Sequence, residues 1–293
     1  MDFTTILSQK LAEYCIDSWG ICAFDALSRR LPCRAAARLP EGAKSVLVLL
    51  FPYYTGPHPR RNLSYYTLGP DYHRVAGDIL GDISSHLAGQ LPPYAFVPFI
   101  DSSPIPEVEA AVRAGLGRRG QNGLLLTPKY GSFVFIGEIV TDLDLSPTGI
   151  PGGDCSGCGL CVAACPAGAL GSGGPNRERC LSHITQKKGE LAPGQAELVR
   201  QGGLIWGCDR CALVCPYNRQ PAATPIAAFA QDVVAVADAD NLDFLVETRA
   251  CGWRGKAVLE RNLRLLEQAG DKDHGKSRPS VSKNGQAAKN RRG

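Results

Sequence analysis

The sequence predicts an α+β chain. A mixed α/β domain comes first, a cysteine-dense domain follows, and a short helical segment comes after it. Three observations carry this. Residues 1 to about 145 mix helix-like and strand-like stretches and hold no Cys-x-x-Cys pair. Cys155 to Asn218 holds eight of the twelve cysteines. Pro- and Gly-rich stretches, Pro147 to Asp154 and Pro221 to Pro225, punctuate the chain on either side. The expected divisions are 1–148, 149–222, a helical segment over 223–268, and a basic disordered tail over 269–293.

The elements of the front domain follow in order. Ile6 to Trp19 is helix-like, and Lys44 to Pro52 is an apolar strand. Asp71 to Leu87 places Val75, Ile79, Ile83 and Leu87 at helical spacing. Tyr94 to Ile100 reads as a strand. Pro104 to Ala114 reads as a helix, with Ser103 as N-cap, Pro104 in the first turn and Gly115 at its end. Gly123 to Thr127 and Ser132 to Thr141 read as strands joined by Pro128 to Gly131. Asn241 to Glu267 reads as two short helices.

Composition sets the class. The chain has 293 residues, 44% hydrophobic and 20% charged, which reads as a globular protein with a sizeable core. No basic start leads into an apolar stretch, so no secretory signal is expected. The apolar run Val46 to Phe51 is far too short to span a bilayer. The expectation is therefore a cytoplasmic protein with no membrane partner. In that compartment thiols stay reduced, and clustered cysteines point to metal rather than disulfides. The net charge of +4 is uneven. Asp271 to Gly293 carries seven Lys/Arg and two Asp, a net of +5, so the rest of the chain is near −1. Such a tail has too little apolar surface to fold and reads as solvated, the other reading being a weak hold on RNA phosphates.

The cysteine spacing carries the chemistry. Cys155-Ser-Gly-Cys158-Gly-Leu-Cys161-Val-Ala-Ala-Cys165-Pro166 is the bacterial ferredoxin ligand run. A cubane needs four thiolates at tetrahedral corners. The short loop supplies three, and the fourth cysteine serves a second cluster. Cys208-Asp-Arg-Cys211-Ala-Leu-Val-Cys215-Pro216 repeats the end of the run but lacks one ligand, for which Cys180 is the natural substitute. Crossed ligation gives one [4Fe–4S] site of Cys155, Cys158, Cys161 and Cys215, and another of Cys165, Cys180, Cys208 and Cys211. Zinc prefers paired Cys-x-x-Cys knuckles and fits this spacing poorly. Cys15, Cys22, Cys33 and Cys251 fall outside the pattern and read as buried small hydrophobes. Two clusters imply electron transfer. Either the front half receives the electrons in an enzyme, or it is the docking module of a ferredoxin-like carrier.

Further stretches carry a resemblance. They are Leu68-Gly-Pro-Asp-Tyr-His-Arg74, Asp101-Ser-Ser-Pro104, Arg113-Ala-Gly-Leu-Gly117, Thr127-Pro-Lys-Tyr-Gly-Ser132 and Gly137-Glu-Ile-Val-Thr-Asp142. Arg179-Cys-Leu-Ser-His-Ile-Thr-Gln186, Trp253-Arg-Gly-Lys256 and Arg261-Asn262 extend them. With both cysteine runs, the chain resembles the epoxyqueuosine reductase family over roughly residues 5 to 265. The resemblance implies a cobalamin bound by the front domain against the cluster domain. It implies electrons passing through the clusters to cobalt, and reduction of epoxyqueuosine to queuosine in tRNA. It implies an electron donor such as a flavodoxin or ferredoxin. Asp101 aligns with the family's proton donor, a role that suits a carboxyl whose pKa burial raises. Leu125, Ile136 and Ser182, with Asp101, align with cobalamin contacts. His73 reads as structural or pocket-lining, since the family's cofactor takes no such ligand. Two departures stand out: Val108 lies near a family arginine, and Gly202-Gly-Leu204 replaces a Gly-Asn-Arg. The chain resembles a short form without the family's C-terminal helical repeats, so a corrinoid reductase with another substrate is a second reading.

Overall fold

The computed structural model describes residues 2–171 and 173–274. Helix α1 (Phe3–Glu13) opens on Asp2, whose side chain accepts from the Thr5 amide. It buries Ile6, Leu7 and Leu11 along one face. It stops earlier than the expected Trp19. Cys15 takes a left-handed φ of 55°, which breaks the helix, and Trp19 opens a strand, β1 (Trp19–Ala23), that pairs with the next. There follow β2 (Ser45–Pro52), α2 (Tyr72–Gln90), β3 (Phe96–Ile100), α3 (Glu107–Arg113), β4 (Arg118–Arg119), β5 (Leu125–Leu126) and β6 (Val134–Thr141).

The main sheet runs β1-β2-β6-β3, every pair antiparallel. All eight residues of β2 are buried, because both faces of the sheet are covered. Leu47, Leu49 and Phe51 pack with Leu7, Leu11, Ile79, Leu80 and Ile83 of α1 and α2. Val46, Val48 and Leu50 pack on the other face with Ala110, Ala111 and Val112 of α3. The two-residue alternation of a strand sends alternate side chains to opposite layers. Each fully buried side chain of this kind contributes roughly 1.5–3 kcal/mol. Gly137 lets α2 close on the sheet: a Cβ there would lie 2.7 Å from Leu80 Cδ1 and 2.8 Å from Phe51 Cε2.

Two expectations shift. Helix α3 begins at Glu107 with Pro106 as its cap, so Ser103 is not the N-cap. The Ser103 hydroxyl accepts from the Ile105 amide and shapes the turn before the helix. The 123–127 stretch pairs through Leu125 and Leu126 with β4 rather than with β6.

The cysteine-rich part carries four short helices, α4 (Leu160–Ala163), α5 (Leu181–Thr185), α6 (Pro193–Gly202) and α7 (Arg210–Leu213). Then come α8 (Leu242–Thr248) and α9 (Lys256–His274). The stretch between Cys180 and Cys208 forms α6, whose Val199 packs with Leu181 and Ile184 and, from α9, with Leu265 and Leu266. Two buried residues of α9 hold this part by its backbone. Asn262 Nδ2 donates to the carbonyls of Thr185 and Ile205, each at 2.7 Å, and Arg261 donates to those of Lys187 and Gly189. Asn218 joins the cysteine-rich part to the sheet. Its Oδ1 accepts from the Ser132 amide at 2.7 Å, and its Nδ2 donates to Ser132 Oγ and the Ala212 carbonyl, each at 2.8 Å. Gly131 makes room for it, since a Cβ there would lie 1.8 Å from Asn218 Oδ1. Helix α9 runs through His274, past residue 268. The rest of the expected tail, 275–293, lies outside the described residues. Among the described residues, no helix is long and apolar enough to cross a membrane.

Candidate functional site

The eight pattern cysteines come together in two groups. A cavity of about 60 Å³ is bounded by Cys155, Cys158, Cys161 and Cys215, with Tyr217 and Leu126 beside them. Cys161 and Cys215 each sense the charge of Cys155 and Cys158. Cys208 senses Cys180 and Cys165, and Cys211 senses Cys208, then Cys180, and last Cys161. Burial raises the free thiols of Cys208 and Cys211, to about 11 and about 12. Among the described residues, no three His, Cys, Asp or Glu side chains converge closely enough for a single ion. The Ala169 amide donates to Cys165 Sγ at 3.2 Å, the kind of contact that tunes a cluster's potential. The other four cysteines divide. Cys22 and Cys251 are buried as expected, but Cys15 is exposed and Cys33 only half-buried, with its Sγ 3.8 Å from the Ser102 carbonyl.

A cavity of about 800 Å³ opens between the front domain and the cysteine-rich part. Tyr72, His73, Asp101, Val134 and Phe135 line one side; Arg177, Ser182 and Gln186 line another, and Trp253 completes the rim. A smaller recess of about 150 Å³ shares Tyr72, Asp101 and Phe135 with it and adds Glu107, Val108, Leu125 and Ile136. All four side chains aligned with cobalamin contacts thus face these joined spaces: Asp101 and Ser182 the larger, Asp101, Leu125 and Ile136 the smaller. Val108 stands in the recess, where an arginine would have filled it. Gly202 and Leu204 instead line a separate cavity beside Cys208.

Asp101 sits on the loop after β3 with φ 57°, a conformation that Asp tolerates better than most residues. Its Oδ2 is 3.4 Å from His73 Nε2, while His73 Nδ1 is 2.7 Å from Asp71 Oδ1. The ring of Tyr72 stacks on His73 and on Phe135, each at 4.0 Å between centroids. This geometry corrects two expectations. The hydrogen bond from His73 outweighs burial and holds Asp101 below its ordinary range rather than above it. His73 does more than line the pocket: Asp101 first, then Asp71, push its imidazolium up to about 9. At neutral pH the proton of this pair rests on His73.

Sequence reasoning missed the recess carboxyls. Glu107 is pushed up to about 7, by burial first and then by the charge of Asp101. Glu138, fully buried in the middle of β6, is raised well above its usual range by burial and then by Glu107. Neither Glu138 carboxyl oxygen makes a hydrogen bond of ordinary geometry, and the Ser103 hydroxyl, the polar group that acts on it, offsets burial only in part. The signal was available: β2 is an unbroken apolar run, so its partner strand is covered too, and a Glu in that strand is buried.

Fold and cysteine spacing together define a redox protein with a double [4Fe–4S] domain behind an α/β domain. Residues 154–218 match the family described as a 4Fe-4S double cluster binding domain, and residues 34–102 match the one described as epoxyqueuosine reductase QueG, DUF1730. An epoxyqueuosine reductase of Listeria monocytogenes is 41% identical over 52% of this chain and 40% of its own. The solved epoxyqueuosine reductase of Streptococcus thermophilus superposes with a TM-score of 0.77 at 24% identity, over 92% of this chain and 82% of that one. A second solved epoxyqueuosine reductase, in complex with an epoxyqueuosine-modified tRNA-Tyr stem loop, gives 0.70 at 26% identity over 89% and 80%. In both its front part and its cysteine-rich part the chain is thus similar to epoxyqueuosine reductases. It spans 40% to 64% of the length of the curated relatives it matches.

Proposed function

We propose that the chain reduces epoxyqueuosine to queuosine in tRNA, with cobalamin in the 800 Å³ cavity and electrons arriving through two [4Fe–4S] clusters. The observation that carries this is the placement of Asp101 and His73 across that cavity from Ser182, two residues from Cys180. An acid thus faces a cluster ligand's helix over a space of the size that cofactors occupy.

The lining fits the cofactor. Leu125, Val134, Phe135 and Ile136 offer an apolar face for a corrin, and Ser182 offers a polar group beside the cluster domain. Bound there, cobalamin would supply a strongly reducing centre for cleaving a carbon–oxygen bond. The remaining work belongs to the chain. Cys155, Cys158, Cys161 and Cys215 would hold one cluster, and Cys165, Cys180, Cys208 and Cys211 the other. Cys158 is exposed, so the first cluster is the one an external donor such as a flavodoxin or ferredoxin would meet. Asp101 would pass a proton to the oxygen that leaves, drawing it from His73. Trp253, 58% exposed at the rim with the Arg254 guanidinium 3.6 Å above its ring, offers a stacking surface for a splayed base. The stem-loop complex of the solved relative supports tRNA as the substrate.

The test is anaerobic reconstitution with iron, sulfide and cobalamin, followed by reaction with tRNA carrying epoxyqueuosine and nucleoside mass spectrometry. Queuosine is the expected product. Protein that loads both clusters but retains no corrin and forms no queuosine would instead be the ferredoxin-like carrier.

A further inference from the structure

Removing an epoxide oxygen as water breaks two C–O bonds, forms a C=C bond, and consumes two electrons and two protons. The electrons come from the one-electron donor through the clusters. The Asp101–His73 pair holds only one of the protons. The second needs a source that water-filled solvent does not have to supply in the middle of the reaction.

The recess behind Asp101 has the features of that source. It is about 150 Å³, enough for several waters, and Glu107 and Asp101 line it together with Tyr72 and Ser132. Its other walls are Ile100, Val108, Leu124, Leu125 and Ile136, which shield it from charge. Behind Glu107 lies Glu138, at 0% exposure on the central strand β6. Its neighbours in the sheet are Val48 of β2 and Phe99 of β3, both apolar. The Ser103 hydroxyl lies on its loop side, and the Cys22 thiol of β1 is the other titratable group that senses it. The Arg113 and Arg30 charges bear on Cys22, and neither is among the groups that act on Glu138 or Glu107. A carboxyl at the centre of a sheet with only one hydroxyl beside it is costly to keep, and an apolar residue would pack there without that cost.

We propose that Glu107, backed by Glu138, is a second proton store of the cavity and recharges Asp101 through the recess. The inference rests on the proposed reduction. The proton leaves the Glu107 carboxyl, crosses the recess on water, and reaches the Asp101 carboxylate. Glu107 is left as a carboxylate until solvent returns its proton. Glu138, kept neutral by burial, adds no second negative charge to that of Glu107. Glu107 works through Asp101 and never touches the substrate, so it is a positioning and supplying residue. This also gives Val108 a reason: an arginine there would drive Glu107 to its ionised form and empty the store.

The experiment compares the reconstituted chain with Glu107→Gln, Glu107→Asp and Glu138→Gln. The first readout needs no turnover. Difference infrared spectra between pH 5.5 and 9 should show, in the parent, a protonated-carboxyl band that disappears near pH 7, that is absent in Glu107→Gln and that returns in Glu107→Asp. The second is the pH profile of single-turnover reduction. Glu107→Gln should slow it about tenfold at pH 7, the lower end of what a proton-transfer group contributes. Cluster content and corrin binding should not change, and Glu107→Asp should recover most of the rate. A band that still disappears near pH 7 in Glu107→Gln, or a Gln variant with the parent's rate and profile, would overturn the proposal. A chain that shows the band but never reduces the epoxide would sink the proposed reaction and leave the paired carboxyls standing.

Discussion

Asp101 and Glu138 are acids of one domain, and their surroundings push them in opposite directions. Asp101 stands on an open loop against an imidazolium and is held ionised. Glu138 stands in the middle of a covered sheet with only the Ser103 hydroxyl acting against its burial, and burial favours its neutral form. Under the proposed reaction the same functional group would thus serve as a hand-off point at the cavity and as a closed store behind it. The difference is made by one cation, His73, on the cavity side and by its absence from the groups acting on the recess side.

The comparison is broken most severely at Asp101. Asp101→Asn keeps the left-handed backbone, which Asn also tolerates, and removes only the acid. Queuosine formation should fall by about a hundredfold or more while both clusters load, read by single-turnover assay and iron content. Undiminished turnover would remove Asp101 from the reaction. The next largest effect is expected at its cation. In the parent, activity should decline as pH rises through about 9, where His73 gives up its proton. In His73→Gln the only remaining acid of the pair is a carboxyl, so the decline should move to below neutral and cost about tenfold at pH 7. An unmoved profile would show that the proton does not rest on His73.

Glu138→Gln sharpens the other side through stability. A carboxyl whose folded pKa lies above its unfolded value costs stability as pH rises above the unfolded value, because the unfolded chain releases a proton that the folded one keeps. The variant should therefore be more stable than the parent at pH 8, and the gain should vanish below about pH 4.5. Equal denaturation midpoints at pH 8 would place the Glu138 carboxyl in water. The smallest effect is expected at Asp71. Asp71→Asn removes the shorter of the two contacts to His73, so the imidazole should titrate below about 9 in an NMR pH series. His73 gains stability from its two carboxylates that is fully present below about pH 6.5 and is lost as pH rises through about 9. The ring is partly exposed, so that share is about 1 kcal/mol or less.

The cysteine pattern was legible because it is local: three of the four proposed ligands of the first cluster come from one loop whose spacing is that of a ferredoxin run. The α/β half is a different case. The buried run at Val46 to Phe51 gave its strand plainly, but β1 hid behind apolar residues that continue the periodicity of α1. Only the left-handed Cys15 separates them. Asp101 could be picked out along the chain, but its charge state could not. His73 lies 28 positions earlier, on a helix whose approach to the β3 loop only the folded sheet sets. Glu138 looked like one polar residue in a strand because burial is a property of the layers on both sides.

Asn218 has a consequence for rate. It lies three residues beyond Cys215 and grips Ser132, which lines both the cavity and the recess. Electron tunnelling falls off exponentially with separation, so a chain that let its cysteine-rich part drift by even an ångström would turn over unevenly from molecule to molecule. A two-point side-chain grip across the buried seam, with a third bond that anchors Asn218 to Ala212 in its own part, fixes that gap at folding. Loosening it, as Asn218→Ala would, should turn one uniform reduction rate into a spread of rates.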